Sequence, residues 1–411
     1  MKRILYYLSI VAFLSSCLSE KNADPGKPNT FVRYFNGGNN DFALVAEETS
    51  DKGIIILGTT EITDPATLAK KYRIKLIKTD EYGNLVQQNL YPSDFASTES
   101  LKAHSLIQLA SGGFLVIGET IDAITGIAKM YILEVGADLT QVPATSKAID
   151  FGLVVSPLLS IQGQAVQVNN NGNYLVLGSI QSPTDNMLLA ELDKSTLAVR
   201  WVKKYGAGTS TLSNKIFLDA ANNVFWSGTV TRSSSDVRLV KTTQNSLNTV
   251  FDLPIGSPLL EESGNDICRY GYGFAVVGTT NENDLAKQDI LFKILAEDGS
   301  VLYSKPYGFD EDTDVGNSIT TARGGLVILG TSNAVDPLSG GRGEEDYYLI
   351  KVDAFGNDVW PTPRVFGSKN KDTGASVRQM SDGSLLVLGT TLFGNVNTIM
   401  LMKADSEGNI E

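Results

Sequence analysis

Seven times along the chain, two or three consecutive apolar residues run into a glycine: "IILGTT", "LVIGET", "LVLGSI", "FWSGTV", "AVVGTT", "VILGTS" and "LVLGTT". The glycines are Gly58, Gly118, Gly178, Gly228, Gly278, Gly330 and Gly389, spaced by 60, 60, 50, 50, 52 and 59 residues. Spacing this even marks an internal repeat. The sixth unit shows its parts most clearly: "DVGNSITT", then "GGLVILGTS", then "DYYLIKVDAFGNDVWPTPRVFG". The first reads as a short strand opened by Asp314 and the second as a nearly all-apolar strand after a glycine turn. The third alternates through "YYLIKVD" and leads by a turn into a fourth strand that closes at Phe366 and Gly367. A sheet solvated on one face should alternate throughout, so the wholly apolar second strand requires cover on both faces.

Four strands in series make an up-and-down antiparallel sheet, and sheets stacked face to face around an axis cover one another on both sides. That requirement predicts an all-β, seven-bladed β-propeller of four-stranded antiparallel blades over residues 31–411. The "D-x-x-G-N" turn recurs at Asp80–Asn84, Asp353–Asn357 and Asp405–Asn409, with a shorter form at Asp298 and Gly299. In it the Asp bonds forward to the backbone and the Gly supplies a positive φ. The second, third and fourth units depart from it, with "GADLTQ", "DKSTLA" and "TTQNSLN", which leaves their blade edges open. The seventh unit stops where its fourth strand should begin, whereas "FVRYFNGG" (31–38) carries the aromatic and glycine ending of a fourth strand with no unit before it. Together these predict that the N-terminal strand completes the last blade and removes the open edge of the ring.

These units resemble those of bacterial secreted and surface propellers, related in architecture to WD40 and kelch rings. The resemblance covers residues 31–411. No Trp-Asp dipeptide occurs, and Gly-Gly stands before the second strand rather than after it as in kelch. The resemblance therefore implies the fold and lends no partner.

The first seventeen residues, "MKRILYYLSIVAFLSSC", have a basic start, an apolar run from Ile4 to Leu14 and small residues before a cysteine. Eleven helical residues cannot cross a hydrocarbon core of roughly 30 Å, so the segment reads as a signal peptide. Leu14-Ser15-Ser16-Cys17 resembles the lipobox of bacterial lipoproteins, which implies cleavage after residue 16, lipid attachment at Cys17 and a polar tether over 17–30. An ordinary secretory signal is the alternative. Leu18 is not the Asp that retains such proteins at the inner membrane, so the resemblance implies the outer membrane of a Gram-negative cell envelope. With Cys17 acylated, Cys268 has no partner within a monomer and reads as a small buried apolar side chain. Without the signal, 32 basic residues face 46 acidic ones, a formal charge of −14 that excludes nucleic acid as a partner.

The links from second to third strand and from blade to blade vary in length and leave the same end of an up-and-down blade, so binding is expected on that face. Catalytic patterns are sparse. His104 is the sole histidine and sits in a first strand, where a structural or exposed role is expected. Asp310, Asp312 and Asp314 in "FDEDTDVGNS" resemble the start of a calcium loop, but Val315 stands where such a loop wants Gly and no Glu follows at the twelfth position. A solvated acidic loop is the expectation, with calcium the alternative and no other cofactor. Asp314 also falls in the register of Asp266 and Asp372, where turn capping suffices. Arg342, Glu344 and Glu345 read as a surface salt-bridge cluster. Trp201 and Trp360 are placed in fourth strands and Trp226 in a second strand, packing between blades. The expected function is a monomeric, membrane-anchored binding or scaffold module for an envelope protein or glycan. The alternative is a glycan-cleaving enzyme using carboxylates near the axis. An enzyme would need ionisable side chains converging in a water-accessible pocket with displaced pKa values.

Overall fold

The computed structural model of the chain describes residues 30–410, apart from link segments at 64–67, 94–98, 153–154, 157, 183–186, 207–209, 232, 244–247, 309–312 and 334–342. The strands form seven four-stranded antiparallel sheets. Six follow chain order, and the seventh takes Phe31–Phe35 as its outermost member. The first strands are Asn40–Glu48, Ser100–Gln108, Ile161–Val168, Ser210–Leu218, Glu262–Tyr270, Asp314–Ala322 and Asp372–Gln379. Each packs against the first strands of both neighbours, the last against the first, so the ring is closed. The chain is a seven-bladed β-propeller. The second strands carry fully buried runs such as Ile54–Leu57, Phe114–Ile117 and Leu326–Leu329, covered on both faces as their unbroken apolar pattern demands.

The repeated glycine has a mechanical reason. A Cβ at Gly58 would come within 2.7 Å of Ile399 in the third strand of the preceding blade. The same site meets Met130 at Gly178 (2.6 Å), Ile290 at Gly330 (2.5 Å) and Tyr347 at Gly389 (2.2 Å). The glycine is thus a socket for the blade behind, and the residue after it reaches the blade ahead. Thr59 Oγ1 accepts the backbone N–H of Ala103 (3.3 Å), Thr229 that of Gly264 (3.1 Å), Thr331 that of Gly374 (2.9 Å) and Thr390 that of Ala43 (2.9 Å).

Phe31–Phe35 pairs with Val396–Ala404, Phe31 lying opposite Lys403 and Phe35 opposite Ile399. Its packing is that of an ordinary fourth strand. The Phe31 ring covers Gly83 of the first blade, as Tyr303 covers Gly356 and Leu253 covers Gly299 one blade on. Gly83 has a φ of 75°, and Asp80 Oδ1 accepts the N–H groups of Tyr82 (2.9 Å) and Asn84 (2.8 Å), which is the expected turn. Asp219 makes the same turn in the fourth blade, with Asn222 at φ 61° in the glycine's place.

Two sequence expectations need correction. Trp360 lies in the bend before the short fourth strand Arg364–Phe366, not in the strand, because "WPTP" supplies prolines that cannot donate to a ladder. Asp266 is not in the register of Asp314 and Asp372. Each first strand has a bulge just past the residue opposite the repeated glycine, and Asp266 follows it, whereas the counterpart of Asp314 is Glu262. In the second blade, one of those with open edges, the fourth strand shrinks to Lys147–Ala148.

Phe31 is 6% exposed, so Phe31→Ala should lower stability by about 3–5 kcal/mol, and Thr331→Val by about 1 kcal/mol. Urea unfolding of the full chain measures both, and an unchanged midpoint for Phe31→Ala would show that the closing strand carries no load.

Candidate functional site

The first strands line the axial channel, and their register sorts its chemistry. In each described case the residues just before and just after the one opposite the repeated glycine are half-exposed between buried neighbours. These pairs are Phe42 and Leu44, Lys102 and His104, Gln162 and Gln164, Ser263 and Asn265, Val315 and Asn317, and Thr373 and Ala375. They form the half of the channel nearer the variable links. Past the bulge, the next level holds small residues in most blades, including Val45, Ser105, Ala165, Ser318 and Ser376. In the fourth and fifth blades it holds Lys215 and Asp266 instead.

Those two charges meet. Lys215 Nζ lies 2.8 Å from Asp266 Oδ1 and donates to Oδ2 at 2.9 Å. Asp266 Oδ2 also accepts Ser318 Oγ (2.8 Å) and the Ile319 N–H (3.0 Å) from the next blade. Two residues further along, Arg378 Nε donates to Glu47 Oε1 at 2.8 Å across the junction of the seventh and first blades. Val45, Glu47, Ser105, Lys215, Phe217 and Arg378 are among the residues around a cavity of about 170 Å³ here. Burial would raise the Asp266 carboxyl, but Lys215 and Arg378 outweigh it and hold it below its ordinary value. Burial, with Arg378 beside it, lowers Lys215 against the pull of Asp266. Burial also works against the Arg378 cation, yet Glu47 and Asp266 raise it above its usual value. Cys268, as expected, is buried and unbridged, and burial pushes its thiol up to about 12, so it is no nucleophile. The cluster is two ion pairs beside this cavity, suited to fixing the inner strands, with Asp266 held as the carboxylate.

His104 occupies the bulge of the second blade, half-exposed in the channel lining, with no hydrogen-bond partner for Nε2. Burial, then the nearby Lys102, depresses its pKa from 6.5 to about 4, so the ring is neutral near neutrality. In the same blade Glu119 replaces the threonine that elsewhere reaches the next blade. Its carboxyl is 2% exposed and one oxygen, Oε2, has no hydrogen-bond partner. Burial raises it above the ordinary carboxylate value, against Lys102 and Gln162.

The remaining candidates separate. Asp314 is 1% exposed at the start of a first strand, packed at a blade junction beside Gly308 and Asp289, and not in a solvated loop. Asp310 and Asp312 lie outside the described residues, as do Cys17 and Arg342. Among the described residues no group of three His, Cys, Asp or Glu side chains could hold a metal. Glu345 pairs with Lys371 of the next blade at 2.5 Å. Trp226 is fully buried, and Trp201 donates to Glu191 at 2.9 Å within its own blade. Sequence reading passed over Glu47, Lys215, Arg378 and Glu119, and gave Asp266 only a turn-capping role. Aligning the units on their glycines would have exposed Glu119, a carboxylate in a threonine slot, and the Lys215 and Asp266 pair, two charges among small residues.

No family model matches the sequence, and no curated protein matches it. Solved structures do match in fold. The Dos1 propeller aligns over 90% of this chain and 94% of its own, with a TM-score of 0.51 at 11% identity. The polysaccharide lyase Uly1 aligns over 93% of both chains, with a TM-score of 0.52 at 10% identity. At this identity the similarity establishes the propeller alone. Among the described residues no helix is long and apolar enough to cross a membrane.

A neutral His104 has a stability consequence. Its folded pKa of about 4 lies below the unfolded value of 6.5, so the unfolded chain binds the proton first and stability falls as pH drops from 6.5 to 4, by up to about 3 kcal/mol. Denaturant midpoints of the wild type and His104→Gln across that window should diverge. Parallel curves would contradict the assignment.

Proposed function

We propose that the chain is a lipid-anchored propeller of the outer membrane that binds a protein partner of the cell envelope on the face carrying its variable links. The observation that carries this reading is five large apolar side chains, 72–95% exposed, in links of that face: Leu68, Ile124, Leu158, Leu259 and Leu285. They come from five different links. The links of the opposite face expose four, Tyr82, Tyr272, Phe355 and Val359, two of them tyrosines. Apolar side chains held out by links on a rigid ring suit a protein surface, with polar residues around them for specificity.

Topology supports the same orientation. Phe31 lies opposite Lys403 at the end where the third strand of the seventh blade enters its turn. The chain therefore enters the ring on the plain face. A tether over 17–30 with a lipid on Cys17 would hang from that face with a root-mean-square reach of roughly 20 Å, and the variable links would point away from the bilayer. Stable anchoring needs more than one acyl chain, which a triacylated cysteine provides. The channel offers the glycan-cleaving alternative ionisable groups around a cavity, but Asp266 and Glu47 are each bound to a cation, and Asp266 is held below its ordinary value where a general acid needs a raised one.

Photo-crosslinking in cells should link Ile124 and Leu259 positions to one envelope protein, while Tyr272 and Phe355 positions yield none. Ile124→Asp with Leu259→Asp should abolish that link without changing the melting temperature. Equal labelling from both faces would overturn the reading. Cys17→Ser should move the protein out of the membrane fraction, and retention there would count against the anchor.

A further inference from the structure

The half-open cavity of about 170 Å³ lies past the bulges of the first strands, toward the short turns, and its wall is divided. The second, third and fourth blades supply Ile107, the amide of Gln167 and the ring of Phe217, all half-exposed. Charge gathers on the other side. Lys215 reaches across to Asp266 of the fifth blade and to the Ile319 carbonyl of the sixth, 3.4 Å away, and Arg378 comes from the seventh. Asp266 is not on the wall, because it holds Lys215, Ser318 Oγ and the Ile319 N–H from behind. Among the described residues the cavity thus faces two cations and one carboxylate, Glu47. Arg378 gives Nε to Glu47 and Nη1 to the Val377 carbonyl, each at 2.8 Å. Its Nη2 makes no hydrogen bond among the described residues and is not buried, so one donor of the guanidinium remains for a ligand. Burial first, then the nearness of Arg378, lowers Lys215, and an anion between the two cations would relieve that repulsion.

We propose that this cavity binds a small organic carboxylate whose apolar body is about the size of a benzene ring, which a cavity of this volume admits. The carboxylate accepts from Arg378 Nη2 beside the Lys215 ammonium, and the apolar body lies against Phe217 and Ile107. A charge-assisted donor on one wall and an apolar wall opposite select acids over neutral or cationic molecules of the same shape. The site is separate from the apolar links proposed to hold a protein partner, and either can fail without the other.

Ile107 is on the cavity wall, so its δ1 methyl resonance, assigned with Ile107→Val, reports on this site. Titrating the full chain near neutral pH with benzoate and hexanoate should shift that resonance saturably with one or both. Benzyl alcohol should bind about tenfold more weakly or worse, as expected where a charge-assisted contact is lost, and benzylamine should not bind. Gln167→Glu adds a carboxylate to the wall with almost no change of shape, and should weaken the acids about tenfold or more while keeping the wild-type melting temperature. Arg378→Met combined with Glu47→Gln removes both members of one ion pair, leaving neither charge uncompensated, and should weaken them likewise; Gln167→Glu decides if that double variant does not fold. The proposal is overturned if neither acid moves the resonance, if benzyl alcohol or benzylamine binds as tightly as benzoate, or if Gln167→Glu binds like the wild type.

Discussion

Everything in this ring depends on how closely two blades approach at the repeated glycine. The third strand of one blade drives an isoleucine, methionine or tyrosine into a space that a Cβ would fill, at Gly58, Gly178, Gly330 and Gly389. The next residue then hands a hydroxyl forward to the backbone of the following blade in four of the seven units. Close packing behind and a hydrogen bond ahead make each blade dependent on both neighbours. No blade could bury its two apolar faces alone, and a ring is the arrangement in which none has to.

Given that constraint, variation is confined to places the packing does not use. The first strands keep their alternating burial in every blade described, and the chemistry of the channel comes from the half-exposed slots and the level past the bulge. Lys215 and Asp266 meet because adjacent blades present the same level to one another, and Arg378 reaches Glu47 because the seventh blade abuts the first. Removing one member of such a buried pair leaves the other uncompensated, so these pairs also lock the inner strands against sliding. Glu119 is the clearest departure. It gives up the hydroxyl latch used in four other blades and buries a carboxyl opposite Lys102 in the strand pairing.

The architecture was legible because its signals are local and repeated. Apolar second strands, glycine spacing and the unfinished seventh unit sufficed for the blade count and for closure by Phe31–Phe35. Details that rest on one unit were not: the prolines after Trp360 displaced it from its strand, and a bulge moved Asp266 out of the register of Asp314. The channel was illegible for a different reason. Glu47 and Arg378 are 331 positions apart in the chain, and only ring closure makes them neighbours. Asp314 misled in the opposite sense, since alternating acids look the same in a calcium loop and at the mouth of a strand that buries its first residue.

Closure itself is open to a direct measurement. Hydrogen exchange on the full chain, followed by peptide mass spectrometry, should give the Phe31–Phe35 segment protection comparable to that of the other fourth strands. Under mild denaturant it should lose that protection together with Val396–Ala404. Exchange over Phe31–Phe35 at the rate of an unstructured segment, with Val396–Ala404 still protected, would contradict a ring held shut by its first strand.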